Sequence, residues 1–407
     1  MLLLRAGALP LELGYCSNVH PASSVQDIRV ALQEHARPLR IQLGCPALVV
    51  GLHLGEQAVR ELATAEACAA FARFLQDEQL RVVSLNVFPQ RPFHEAVVKH
   101  AVYEPDWTRS ERRDYTLAAA RCLLAIAPTN ASPLSLSTLP LGHASLRTRN
   151  ADCEEHAAQN LLDVAMDFAA LEQTHCRTLQ LAIEPEPGCL LETAADLARF
   201  FSQTLLPLAQ QRGLSPDTIQ RHIGACFDCC HGAVMFEPVE TALQALASAG
   251  CKVFKVQISA AIEADLPAAA AALQACAEPR YLHQTSVLRD RAFGVPTEWR
   301  PGQQTAGPRP DVVDDLPLLP AHACGTARTH FHIPIHAQPT APLRSTAATL
   351  PAALQLLAAT GCTHYEVETY TFHVLPGALR NTDDLVANLA SELTTAAKWL
   401  RKCHSAP

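Results

Sequence analysis

Thr178-Leu179-Gln180-Leu181-Ala182-Ile183-Glu184-Pro185-Glu186-Pro187 reads as a short apolar strand closed by a carboxylate, and what flanks it decides the fold. Before it, Asp152–Leu171 carries apolar residues at helical spacing, and after it Ala194–Gln211 does the same. A second apolar run, Ile223-Gly224-Ala225-Cys226-Phe227-Asp228, again ends on an acid. Strands alternating with helices in this way signal a parallel sheet, because parallel neighbours need a crossover long enough to hold a helix.

The alternation continues in both directions. Further strands are predicted at Leu13–Ser17, Leu48–His53, Arg81–Phe88, Leu134–Leu139, Lys252–Ile258 and His364–Glu368. Helices are predicted at Ala58–Gln76, Ser110–Ile126, Thr349–Ala359 and Ser391–Lys402. Eight strands with intervening helices fit an α/β fold, the (β/α)8 TIM barrel, here as one elaborated domain over 1–407. An open doubly wound sheet is the competitor, but Ser17-Asn18-Val19-His20-Pro21 follows the first strand where that fold carries a glycine-rich loop. Insertions are expected at about 89–133 and 285–346. The second holds a long loop, Thr285–Leu319, suited to a lid, and then a strand-like piece, Thr329–His336, that leaves the strand count open in this quarter.

Composition narrows the function. With 49% hydrophobic and 18% charged residues in 407, the chain is not disordered. Lys plus Arg total 32 against 40 acids, a net charge of −8, which argues against a phosphate-backbone partner. The N-terminal apolar run lacks a basic leader, and the charge-free stretch Cys122–Leu146 is too polar to span a bilayer. Fifteen cysteines without a repeating spacing suggest free, mostly buried thiols and a cytoplasmic setting. Cys226, Cys229 and Cys230 are read the same way, since neither a redox nor a zinc-ribbon context surrounds them. There is no nucleophile elbow, Walker loop or dinucleotide fingerprint.

In a barrel the active site forms at the C-terminal ends of the strands. Strand five ends at Glu184, strand six at Asp228 with His231 three residues on, strand seven carries Lys255 and Gln257 in phase, and strand eight ends at Glu368. Four oxygen-bearing side chains from successive strands can converge on one divalent ion, with Mn, Mg, Co and Zn all open. Asp228 serves equally well as a helix cap. His330 and His332 alternate along one strand and share a face.

At these residues the chain resembles the xylose-isomerase-like (sugar-phosphate isomerase/epimerase) barrels. The resemblance implies Glu184, Asp228, Gln257 and Glu368 as ligands of one metal, with Gln257 standing where histidine is commonest. It also implies Glu184 and Glu368 as the pair that removes and returns a proton. His231, in a D-x-x-H pattern, would then face the substrate. Lys255, His332, Asn86 and His20 complete the substrate-binding candidates, Lys255 as a neutraliser of an oxyanion. A narrower set is similar to the EboE metabolite-traffic family: Tyr15 to Pro21, Asn86-Val87-Phe88-Pro89, Phe93-His94, Val98-Lys99, Val102 to Trp107, Ser137 to Pro140 and Tyr281-Leu282-His283-Gln284. Together these imply a metal-dependent isomerase or epimerase acting on a sugar, cyclitol or polyol, with a small-molecule substrate and possible partner enzymes of one pathway. The alternative is a metabolite-binding protein without catalysis on the same barrel.

Overall fold

The computed structural model describes residues 2–3, 10–288, 310–380 and 382–404. Strand one runs Leu11–Cys16, two Leu48–His53, three Leu80–Asn86, four Leu134–Thr138, five Leu179–Ile183, six Ile223–Asp228, seven Val253–Ile258 and eight His364–Val367. Each pairs in parallel with the next, and strand one pairs with both two and eight, so the ring closes. The chain is a (β/α)8 barrel. All eight predicted strands are present, their ends within two residues of the sequence reading. Closure between strands one and two depends on Gly14: an added Cβ there would lie 2.4 Å from the Val49 carbonyl oxygen.

Outward-facing strand residues and the apolar faces of the helices make one continuous core. Ser110–Ile126 forms as predicted, and Cys153–His175 and Leu385–His404 extend the predicted helices. The predicted Ala58–Gln76 helix is instead two, Glu56–Glu61 and Ala65–Asp77, because the Thr64 hydroxyl accepts from the Ala67 N–H and starts a new one. The barrel interior is markedly polar. Lys255 pairs with Glu366 at 3.0 Å, and Ser135 Oγ meets His364 Nδ1 at 2.7 Å, all of them buried.

Between strands seven and eight the chain builds a second, antiparallel sheet. Its order is Asp311–Val313, Thr285–Leu288, Gly325–Ile333, Ala260–Leu266, Arg344–Ser345. The strand-like piece Thr329–His336 therefore belongs to this sheet and not to the barrel. The expected loop Thr285–Leu319 holds strands at Thr285–Leu288 and Asp311–Val313 and a 3-10 turn at Leu316–Leu318, and its centre, 289–309, lies outside the described residues. The pairing of Gly325–Ile333 with Ala260–Leu266 shifts register between Thr329 and Ile333. Irregularities of this kind re-aim side chains, and this one carries His330 and His332. No helix among the described residues is long and apolar enough to cross a membrane. All fifteen cysteines are free, and Cys226, Cys229 and Cys230 are buried.

Candidate active site

Four strand ends supply the floor. Glu184 follows strand five, Asp228 closes strand six, Gln257 is next to last in strand seven and Glu368 follows strand eight. Asp228 stands beside Gln257 in the ladder. Each is at most 4% exposed. Glu184, Asp228 and Glu368 offer oxygen atoms all within 4.8 Å of one another. Asp228 divides its work: Oδ1 accepts from the His231 N–H and the Ser259 hydroxyl, both at 2.8 Å, while the buried Oδ2 has no partner. Capping and a free donor oxygen thus coexist on one side chain. Glu184 Oε2 and both polar atoms of Gln257 are likewise buried without partners.

Such a group is costly without a counter-charge. Burial, then the charges of Glu368 and Asp228, pushes the Glu184 carboxyl well above the usual range. Burial and Asp228 lift Glu368 to about 8, against the opposing hydrogen bond from Asn18. Burial also acts to raise Asp228, but His231, His332, the His231 N–H and Ser259 outweigh it and hold the group low. Clustered oxygen donors with unpartnered atoms fit a hard or borderline divalent ion. Glu184, Asp228, Gln257 and Glu368 are the residues that would hold it.

Histidines form the adjoining wall. His231 Nδ1 meets the Pro185 carbonyl at 2.9 Å, and its Nε2 lies 3.1 Å from His330 Nε2. His332 Nδ1 meets the Glu368 carbonyl at 3.1 Å, and its Nε2 also lies 3.1 Å from His330 Nε2. Burial, aided by the neighbouring imidazoles, pushes His330 well below the usual histidine range. Burial brings His332 to about 4. Asn86 and Asn18 donate to Glu368 Oε1 at 3.2 and 2.8 Å.

A cavity opens above this cluster, lined by Glu184 and Glu368 but not by Asp228 or Gln257. Its polar end is Asn18, Asn86, Glu184, Glu186, His231, His330, His332 and Glu368. Its other wall is apolar, with Phe93, Tyr281 and Tyr370 packed at ring separations of 5.0 to 5.3 Å. Buried Arg112 steadies the strand-three rim by donating to the carbonyls of Val87, Phe88 and Pro105.

Two sequence candidates stand elsewhere. Lys255 is fully buried inside the barrel and directs its ammonium to Glu366 and Ser137, and it does not line the cavity. His20 bonds Tyr15 and stacks on His35 in a separate small pocket beneath the first helix. The spacing of Lys255 with Gln257 shows a shared face but not the partners, and Lys255 finds Glu366 and Ser137 while Gln257 finds none. Conversely, Asn18, Glu186, His330 and Tyr370 reach the cavity without having been singled out. Glu186 was visible in the strand-five motif and His330 in the alternation with His332. Nothing local distinguishes Asn18 or Tyr370.

No protein-family model and no curated protein sequence matches the chain. The solved structures it is similar to include three at low identity. The IolI protein with a binding zinc atom has 10% identity and a TM-score of 0.47, covering 97% of this chain and 100% of that one. A xylose isomerase-like TIM barrel protein from Mycobacterium smegmatis in complex with magnesium has 12% identity and a TM-score of 0.49, with 97% and 98% covered. D-psicose 3-epimerase in the presence of D-fructose has 10% identity and a TM-score of 0.47, with 97% and 100% covered. The barrel itself is established by its strand order, independently of these likenesses.

Proposed function

We propose that this chain is a metal-dependent isomerase or epimerase acting on a sugar, cyclitol or polyol metabolite by proton abstraction next to a carbonyl. The observation that carries the reading is the buried convergence of Glu184, Asp228 and Glu368, with unpartnered oxygens, at the mouth of the barrel. A divalent cation bound there would supply Lewis acidity, making a C–H beside a polarised carbonyl easier to ionise. Glu368, oriented by Asn18 and Asn86, is placed to take a proton from a bound substrate. Glu184, grouped with Glu368 at the barrel mouth, is its counterpart for returning the proton. Asn86 and the wall histidines meet substrate hydroxyls, and Phe93, Tyr281 and Tyr370 exclude water from the other side. The EboE resemblance supports a secondary-metabolite pathway as the setting. It also supports a second reading, metabolite traffic without catalysis, which Gln257 favours by replacing the commoner histidine.

The test is solvent deuterium exchange. The metal-loaded protein is incubated in D2O with a panel of ketoses, aldoses and inososes. Incorporation of deuterium at the carbon beside the carbonyl is expected, together with its loss in Glu368→Gln at unchanged fold. Binding of a panel member without exchange in the wild type supports the traffic reading and overturns catalysis.

A further inference from the structure

Outside the cavity, three side chains from three distant segments meet. His100 lies in the 3-10 helix Lys99–Tyr103 that follows strand three, His143 in the loop after strand four, and Asp314 just past the inserted strand Asp311–Val313. His100 Nε2 stands 3.0 Å from Asp314 Oδ2, and His143 Nε2 stands 3.0 Å from Asp314 Oδ1. The two rings are neighbours as well, with centroids 4.6 Å apart and planes at 83°. Two imidazoles thus aim the same nitrogen at one carboxylate, and the three residues offer ligand atoms that all lie within 4.8 Å of one another. None of the three lines the active-site cavity.

The backbone holds these ligands in place without an ion. His143 pairs with Cys189 in an antiparallel bridge between the loops after strands four and five. The Ala144 N–H donates to Gly188 O at 3.0 Å and the Leu190 N–H to Gly142 O at 2.9 Å, which braces that bridge. His100 and Asp314 are chain neighbours of Lys99 and Asp315, whose ammonium and carboxylate meet at 2.5 Å. Gly188 keeps the space beside the carboxylate open, since a Cβ there would come within 3.1 Å of Asp314 Oδ1. The Ser145 hydroxyl lies 2.9 Å from His143 Nδ1, closer than the Ser145 N–H at 3.3 Å. As acceptor of an Nδ1 proton it leaves Nε2 with a bare lone pair, the outer arrangement usual for a metal-bound imidazole.

Ligands of a tetrahedral zinc, at about 2.0–2.2 Å from the ion, stand about 3.3 Å apart, so an ion enters here with shifts of about 0.3 Å. Two imidazoles with one carboxylate favour a borderline ion of the zinc class over magnesium or calcium. The side chains of His100, His143 and Asp314 are 53%, 12% and 36% exposed, which leaves a further position open to water. We propose that His100, His143 and Asp314 bind a divalent cation of the zinc class, as a clamp that fastens the inserted sheet to the loops after strands three and four. The clamp adjoins the active site through Tyr103, whose ring centroid lies 5.6 Å from that of His143 and whose hydroxyl donates to Glu186 on the cavity wall. It shares no residue with the carboxylate floor and does not rest on the proposed function.

The experiment loads the chelator-stripped full chain with Zn2+ alone and counts zinc per chain after desalting. His143→Ala and Asp314→Asn should each hold about one zinc ion fewer than the wild type, whether or not the floor also binds zinc. Glu184→Gln, which alters the floor alone, should keep the clamp ion. Its zinc absorption edge should show imidazole ligands that disappear in Glu184→Gln/Asp314→Asn. Asp314 is partly exposed, so Asp314→Asn decides the matter if His143→Ala does not fold. Zinc content equal to wild type in either folded variant overturns the proposal while leaving the floor reading standing. A zinc content unchanged in Glu184→Gln but lowered in Asp314→Asn supports the clamp and counts against zinc at the floor.

Discussion

Replacing Lys255 by Met is the sharpest test of how the barrel interior is built. Its ammonium lies 3.0 Å from Glu366 Oε2, with the two side chains 0% and 1% exposed. At an effective dielectric of about 20, charges at that distance attract by roughly 5.5 kcal/mol. Methionine preserves most of the side-chain volume but strands the Glu366 carboxylate, and breaking one side of a buried pair costs about 3–5 kcal/mol. The stranded carboxylate is left with the Ser84 hydroxyl as its partner. Lys255→Met/Glu366→Leu should recover most of the loss, since removing both charges removes the desolvation penalty as well. Urea unfolding of the metal-free protein measures both variants. A single variant within about 1 kcal/mol of wild type, or a double variant no better than the single, would refute the reasoning. In that case Lys255 returns as a candidate for meeting substrate charge.

Three further outcomes are expected. An alanine Cβ at Gly51 would lie 2.0 Å from the Glu366 carboxyl, which Lys255 and Ser84 hold in place, so Gly51→Ala should cost about 1–3 kcal/mol and less in the Lys255→Met background, as denaturant titration would show. Glu392, buried against Thr369, Asn388 and the Ile335 N–H, has its carboxyl raised to about 7 by burial; a raised carboxyl favours folding below its unfolded value, so stability should fall by about 2–4 kcal/mol as pH climbs through that range and stay flatter in Glu392→Gln. Metal affinity of the carboxylate floor should rise with pH as Glu184 and Glu368, both held above the usual carboxyl range, ionise, and isothermal titration that finds no pH dependence between 6 and 8 would contradict the buried placement of these groups.

How far the chain could be read depends on whether each feature is carried by neighbours in sequence. Strands five and six were legible because an apolar run ending in Glu184 or Asp228 states both its burial and the direction of its polar end within seven residues. Lys255 shows where that logic stops. Alternation put it on the same face as Gln257, yet neither lines the cavity, and the Lys255 ammonium is claimed by Glu366 and Ser137 on other strands. His20 fails similarly, since Tyr15 and His35 claim the ring. The histidine wall is the hardest case. His231 comes from the barrel, while His330 and His332 come from an inserted sheet about a hundred residues later, brought there by an irregular register with Ala260–Leu266. The chemical meaning of those rings lies in which nitrogen bears the proton, and the carbonyls of Pro185 and Glu368 decide that for two of them. Backbone acceptors carry no residue signature, so a sequence can disclose that a histidine is present and cannot disclose which of its two nitrogens is free to bind.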